Sequence, residues 1–220
     1  MDQRLSEAEA VVFDIGNVLL RFEPRQVCGR MPEDRREALY QALFGPEGHW
    51  PEFDLAAESN EVISRKAAAQ AGNEAWWTDV LDAYLHFHER MEVLPLSREI
   101  AVLRAQGKKV CLLTNYGEPA FSLAWERFGF LRETDGAVVS AREKKVKPDP
   151  EIFLRLIRRF GLIPEKTLFV DDSEKNTDAA ARLGFRVWHY ETPEAGHPEG
   201  HPDHTEHHAR TAQTGRKECS

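Results

Sequence analysis

A chain of 220 residues with 41% hydrophobic, 10% aromatic and 30% charged positions has enough apolar material for one domain with a sizeable insertion, which excludes disorder for its bulk. Its formal charge of −8 argues against sequence-independent nucleic-acid binding, a mode that needs a cationic surface. No apolar run approaches the ~18 residues of a membrane span, and the start lacks the charged-then-apolar order of a secretory signal, so no membrane partner is expected and the expected location is the cytoplasm.

In chain order, Ala10 to Phe13 is a short apolar run ending at Asp14, with Gly16 and Asn17 behind it as turn formers, and predicts a buried strand. From Phe22 to Pro95 the strand pattern stops. Helical stretches at Asp34 to Leu43, Asn60 to Gln70 and Glu74 to Met91 predict an inserted helical unit lying over the sheet edge as a lid. Trp50, Trp76, Trp77, His86 and His88 in this unit read as its core or surface. Alternation then returns. Apolar runs at Val110 to Leu113, Ala137 to Val139, Leu168 to Val170 and Phe185 to Trp188 are separated by helical patterns at Ser97 to Ala105, Glu118 to Phe128, Pro150 to Phe160 and Asn176 to Leu183. Gly107, Gly129, Gly161 and Gly184 close these helices. The expected fold is α/β: a doubly wound, mostly parallel sheet with an inserted α-helical cap. The expected division is 1–21 with 96–190 as core, 22–95 as cap, and 191–220 as a disordered, His-rich tail whose spacing fits no closed metal site. Cys28, Cys111 and Cys219 are too scattered for a disulfide framework and read as reduced. Nothing in the sequence specifies an oligomeric state.

In such sheets ligands bind beyond the carboxyl ends of the strands. The predicted strands end at Asp14, at Thr114 and Asn115, at Ser140, and at Asp171 and Asp172. Adjacent carboxylates at the end of an apolar strand repel each other unless a cation offsets them. Magnesium suits that role, since it is commonly held by one or two carboxylates together with a substrate phosphate. Of the basic cluster Arg142, Lys144, Lys145 and Lys147, the last, followed by Pro148, supplies an ammonium able to hold a phosphate or an aspartate nucleophile. Thr114 adds a hydroxyl, and the N–H groups around Asn115 and Tyr116 precede a helix, a geometry suited to phosphate oxygens.

These residues fall into four segments, VVFDIGNVLL, LLTN, KKVKPDPEIF and FVDDSEKNTDAAARLGF, which resemble in order the four motifs of the haloacid dehalogenase-like hydrolases; the helical insertion resembles that family's type 1 cap. The resemblance implies a phosphatase acting on a small phosphorylated metabolite, a sugar phosphate being favoured. Asp14 would be the nucleophile, forming an aspartyl phosphate that water hydrolyses. Asp14, the carbonyl of Gly16, Asp171 and Asp172 would hold Mg2+, and Thr114, Asn115 and Lys147 would bind the phosphoryl group.

Two departures stand out. Most phosphatases of the family carry an aspartate two residues after the nucleophile as general acid and base, where this chain has Gly16; the D-x-G-N-V pattern resembles instead a bacterial branch that includes α-D-glucose 1-phosphate phosphatase. Lys144 stands where many relatives have glycine. Two other readings share the same residues: a metal-independent dehalogenase, and a phospho-ligand binder without turnover.

Overall fold

The computed structural model of the chain describes residues 2–194; Met1 and 195–220, with Cys219 and most of the His-rich segment, lie outside the described residues. Five strands form one sheet: β1 Ala10–Phe13, β2 Lys109–Thr114, β3 Gly136–Val139, β4 Thr167–Asp171 and β5 Arg186–His189. All pairs are parallel, in the order β3-β2-β1-β4-β5. The helices are α1 Gln3–Glu7, α2 Pro24–Val27, α3 Arg36–Phe44, α4 Trp50–Leu55, α5 Asn60–Gln70, α6 Trp77–His86, α7 Glu99–Ala105, α8 Ala120–Arg127, α9 Ser140–Glu143, α10 Pro150–Phe160 and α11 Glu174–Arg182.

The central strands are apolar throughout because both faces are covered, as parallel crossovers require. Side chains alternate between faces. Val11 and Phe13 therefore join Val110, Leu112, Leu168 and Val170 on the side continuous with the helical insertion, while Val12 joins Cys111, Leu113 and Phe169 against α10 and α11. Cys28 and Cys111 are free and buried. Among the described residues no helix is long and apolar enough to cross a membrane.

Several expected boundaries hold to the residue, among them α5 and α10. The latter begins at Pro150 behind an Asp149 cap and stops at Gly161, whose φ of +59° is the left-handed turn a side chain would resist. Gly129 differs from its expected capping role: Phe128 ends α8 in extended geometry and Gly129 opens a 3-10 turn. The short α4 does not emerge from the sequence pattern at all.

Helices α2 to α6 leave the sheet after β1 and return before β2. The outgoing and incoming strands of backbone touch: Leu20 bridges Val93, Arg21 N donates to Glu92 O and Leu94 N to Leu19 O, at 2.8 and 2.9 Å. The segment after β5 packs back here as well, with Thr192 Oγ1 donating to Asn17 O at 2.6 Å and Arg21 Nη2 to Pro193 O at 2.7 Å.

The chain runs from β1 outward through β2 and β3, then crosses to β4 and β5 on the other side of β1. The order therefore reverses beside β1, between the ends of β1 and β4. Phe13 is in register with both Leu112 and Val170, so Asp14, Leu113 and Asp171 lie at one level.

Candidate active site

At that level four charged side chains converge. Asp14 N donates to Val170 O at 2.9 Å, which extends the β1–β4 ladder one residue and fixes where the Asp14 carboxylate starts. Lys147 is 4% exposed; its ammonium lies 2.9 Å from Asp14 Oδ1 and donates to Asp171 Oδ2 at 2.6 Å. The loop carrying it is held by Asn115, whose Oδ1 accepts from Lys147 N at 2.8 Å and whose Nδ2 donates to Lys147 O at 3.0 Å. This reciprocal pair uses both ends of the amide, so Asn115 positions Lys147 as well as lining the cavity.

Asp171 is fully buried, its other oxygen accepting from Ser173 N and Asn176 Nδ2, both at 2.9 Å. Asp172 accepts from Asn17 Nδ2 at 3.1 Å. Asn17 itself sits at φ +55°, and its Oδ1 accepts from Phe22 N at 2.9 Å, which folds the turn after Asp14 back on itself. Thr114 is buried at the end of β2, and Gly16 lines the cavity beside Asp14.

Three carboxylates face one ammonium, which leaves an excess of two negative charges if all are ionised. Burial pushes the Asp14 carboxyl up to about 7; Lys147 pulls against that and Asp171 adds to it. Burial raises Asp172 too, with Asn17 opposing and Asp171 contributing. Burial works against the Lys147 ammonium, but Asp14 and Asp171 outweigh it and hold its pKa above the ordinary lysine value. Asp14, Asp171 and Asp172 each offer an oxygen, all within 4.8 Å of one another, and Asp14 Oδ1 is buried without an aligned hydrogen-bond donor. A hard divalent cation fits this donor set in charge and in ligand type.

Above the carboxylates is a cavity of about 240 Å³. Asp14, Gly16, Asn17, Asn115 and Asp172 form its floor. Phe22, Trp50, Tyr84, Phe87 and Met91, joined by Tyr116 from the sheet side, form its wall. Trp50 packs into this wall, tilted against Phe22 at 5.4 Å and edge-to-face with Phe87 at 5.3 Å between ring centres. Trp76, Trp77, His86 and His88 do not reach the cavity. Gly117 lets wall and floor meet: a Cβ there would lie 2.1 Å from Tyr84 Oη and 2.6 Å from the Phe53 carbonyl.

The basic cluster disperses. Arg142 pairs with Glu118, Lys145 with Asp149 at 3.0 Å, and Lys144 reaches across to the Ala56 carbonyl at 2.7 Å; Lys147 alone of the four enters the site. Sequence reasoning missed Asn17 and Asn176, whose signals were their nearness to the carboxylate motifs, and Asp54, a cavity residue in a stretch without any motif.

A sequence profile described as haloacid dehalogenase-like hydrolase matches residues 8–184. The chain is 32% identical over 198 residues to mouse acyl-CoA dehydrogenase family member 10, spanning 84% of this chain but 18% of that protein. It is 25% identical over 184 residues to the phosphorylated carbohydrates phosphatase of Thermotoga maritima, covering 80% and 82% of the two chains. A HAD-like family hydrolase from Porphyromonas gingivalis superposes with a TM-score of 0.71 at 26% identity, over 86% of this chain and 94% of that one.

Proposed function

Since the chain belongs to the haloacid dehalogenase-like hydrolases and carries a helical cap of their type 1 after its first strand, we propose that it is a magnesium-dependent phosphatase of a small phosphorylated metabolite. In this reading 1–21 and 96–190 form the catalytic core and 22–95 the cap. The observation that carries it is the charged cluster itself: three carboxylates around one ammonium at the floor of a cavity are a suitable arrangement for a cation and a phosphate.

Asp14 is the nucleophile. An oxygen of its carboxylate attacks phosphorus, the ester oxygen departs, and the aspartyl phosphate is hydrolysed by water, which splits one hard displacement into two easier ones. Lys147 holds the attacking carboxylate in place and offers its charge to the phosphoryl oxygens. Asn115 fixes the loop of Lys147, and Thr114 and the N–H groups that follow it receive the phosphoryl group. Asp14, Gly16 through its carbonyl, Asp171 and Asp172 would hold Mg2+. When bound, the ion would supply positive charge against the oxygens of the transferring group.

A sugar phosphate is the favoured substrate: the Thermotoga relative acts on phosphorylated carbohydrates, and the D-x-G-N-V segment resembles the glucose 1-phosphate phosphatase branch. The carboxylate pair beside Asp14 disfavours metal-free dehalogenation: that reaction develops no phosphoryl charge for a cation to neutralise, and without a cation the uncompensated pair would hinder the nucleophile.

The test is phosphate release from a panel of sugar phosphates and p-nitrophenyl phosphate, with magnesium and with chelator. Magnesium-dependent release is expected, and Asp14→Asn is expected to lower it by at least ~10⁴-fold with the fold retained. Release by the variant at wild-type rates would overturn the nucleophile assignment.

A further inference from the structure

The reaction proposed above needs a proton for the departing ester oxygen, and Gly16 has no side chain to give one. The cavity contains one carboxylate outside the Asp14, Asp171 and Asp172 cluster: Asp54, on the cap helix α4. No hydrogen bond or ion pair among the described residues engages its carboxylate. The backbone here, by contrast, is pinned from the core at two carbonyls, those of Asp54 and Ala56. Ser140 Oγ, at the end of β3, donates to Asp54 O at 2.5 Å and in turn accepts from Tyr116 N at 2.8 Å. Lys144 Nζ donates to Ala56 O at 2.7 Å. Lys144 adopts φ +55°, a conformation that costs a side-chain-bearing residue about 1 kcal/mol, so its reach to the cap holds where glycine would be the easier choice.

We propose that Asp54 is the proton donor and acceptor of this enzyme, replacing from the cap the carboxylate that the core lacks at Gly16. The inference rests on the phosphatase reading. In the first step Asp14 forms a bond to phosphorus, the bond from phosphorus to the ester oxygen breaks with its electron pair leaving on that oxygen, and the Asp54 carboxyl transfers its proton there, releasing the alcohol. In the second, a water oxygen attacks phosphorus and gives one proton to the Asp54 carboxylate. The bond from phosphorus to Asp14 then breaks, which restores both aspartates and yields inorganic phosphate. The surroundings suit a carboxyl that begins protonated. Burial raises its pKa well above the usual carboxylate value, Asp14 adds to this and Lys147 opposes it, while Tyr84 and Tyr116 supply no counter-charge.

The test compares phenyl phosphate with p-nitrophenyl phosphate, two substrates of similar shape whose leaving groups differ in their need for a proton. Asp54→Asn is expected to slow phenyl phosphate by about 10²–10⁴-fold, the usual worth of a general acid, while p-nitrophenyl phosphate falls by less than about 10-fold. Adding Gly16→Asp to Asp54→Asn is expected to restore phenyl phosphate turnover in part, because a Cβ at Gly16 meets nothing closer than Phe22 Cβ at 3.9 Å. Equal losses on both substrates would assign Asp54 a structural role and overturn the proposal. So would a wild type that hydrolyses p-nitrophenyl phosphate but not phenyl phosphate. A wild type inert to both and to the sugar phosphate panel would overturn the phosphatase reading itself, and this proposal with it.

Discussion

The floor and the roof of the cavity are built on different physical plans. The floor is charged and rigid: Asp14 and Asp171, at the ends of parallel strands, and Lys147, on a loop clamped by Asn115, are almost wholly buried, and the ammonium neutralises part of the field of both carboxylates. The roof is a packed set of aromatic rings, with Phe53 stacked on Tyr84 at 4.1 Å and Trp50 wedged among Phe22, Phe44 and Phe87, broken by the single carboxylate of Asp54. The difference teaches where chemistry and selectivity reside. The floor must hold like charges close together and tolerates little change. The roof gains its stability from apolar contact and is free to vary in shape.

The comparison is broken most severely by Lys147→Met. That change leaves the buried carboxylates of Asp14 and Asp171, with the partly buried Asp172 beside them, without their cation, and losing one partner of a buried ion pair costs about 3–5 kcal/mol. Denaturant unfolding in chelator is expected to report a loss of that size, with part of it recovered in magnesium. An equal loss with and without magnesium would mean that the ion does not enter the carboxylate cluster.

A smaller effect is expected where floor and roof touch. Gly117→Ala would push a methyl against Tyr84 Oη and the Phe53 carbonyl, and such overpacking costs about 1–3 kcal/mol. Because Phe53 adjoins Asp54, turnover of phenyl phosphate is expected to fall more than that of p-nitrophenyl phosphate. If stability and both rates are unchanged, the cap does not pack on the core as described.

The smallest effect concerns the floor alone. The folded Asp14 carboxyl titrates near 7, against 3.8 for an ordinary aspartate, so between these values the folded protein keeps a proton that the unfolded chain has lost. Without metal, that contribution to stability is therefore present at low pH and is lost as pH rises through about 7. On the proposed function magnesium binds the ionised form, so its stabilisation is expected to grow over the same window. Thermal unfolding should show a magnesium shift several degrees larger at pH 8 than at pH 5, for a difference of about 1–2 kcal/mol. A shift independent of pH would separate the ion from Asp14.

Much of this molecule is written locally. Val11 to Phe13, Val110 to Leu113 and Leu168 to Val170 are legible as strands because a parallel strand covered on both faces must be apolar along its whole length. Asp14, Thr114 and Asp171 are then legible as their ends. Helices such as α5 and α10 carry their own caps, Ser59 and Asp149, and so announce where they start.

The roof is not written this way. Helix α4 has six residues, with Pro51 and two aromatic rings and too few turns for a periodic signal, yet it brings Asp54 into the cavity that Asp14 lines.

The sequence by itself therefore determined the parallel α/β core, the helical insertion and the carboxylate floor, because burial and capping impose patterns within a few consecutive residues. The tertiary structure alone decided that Asn115 would clamp the Lys147 backbone, that Ser140 and Lys144 would pin α4 from the core, and that a cavity would form over Asp14. These contacts join residues 32 to 88 positions apart in the chain, and such pairs meet only where the elements that carry them pack, within the core for Asn115 and Lys147 and between core and helical insertion for Ser140 and Lys144.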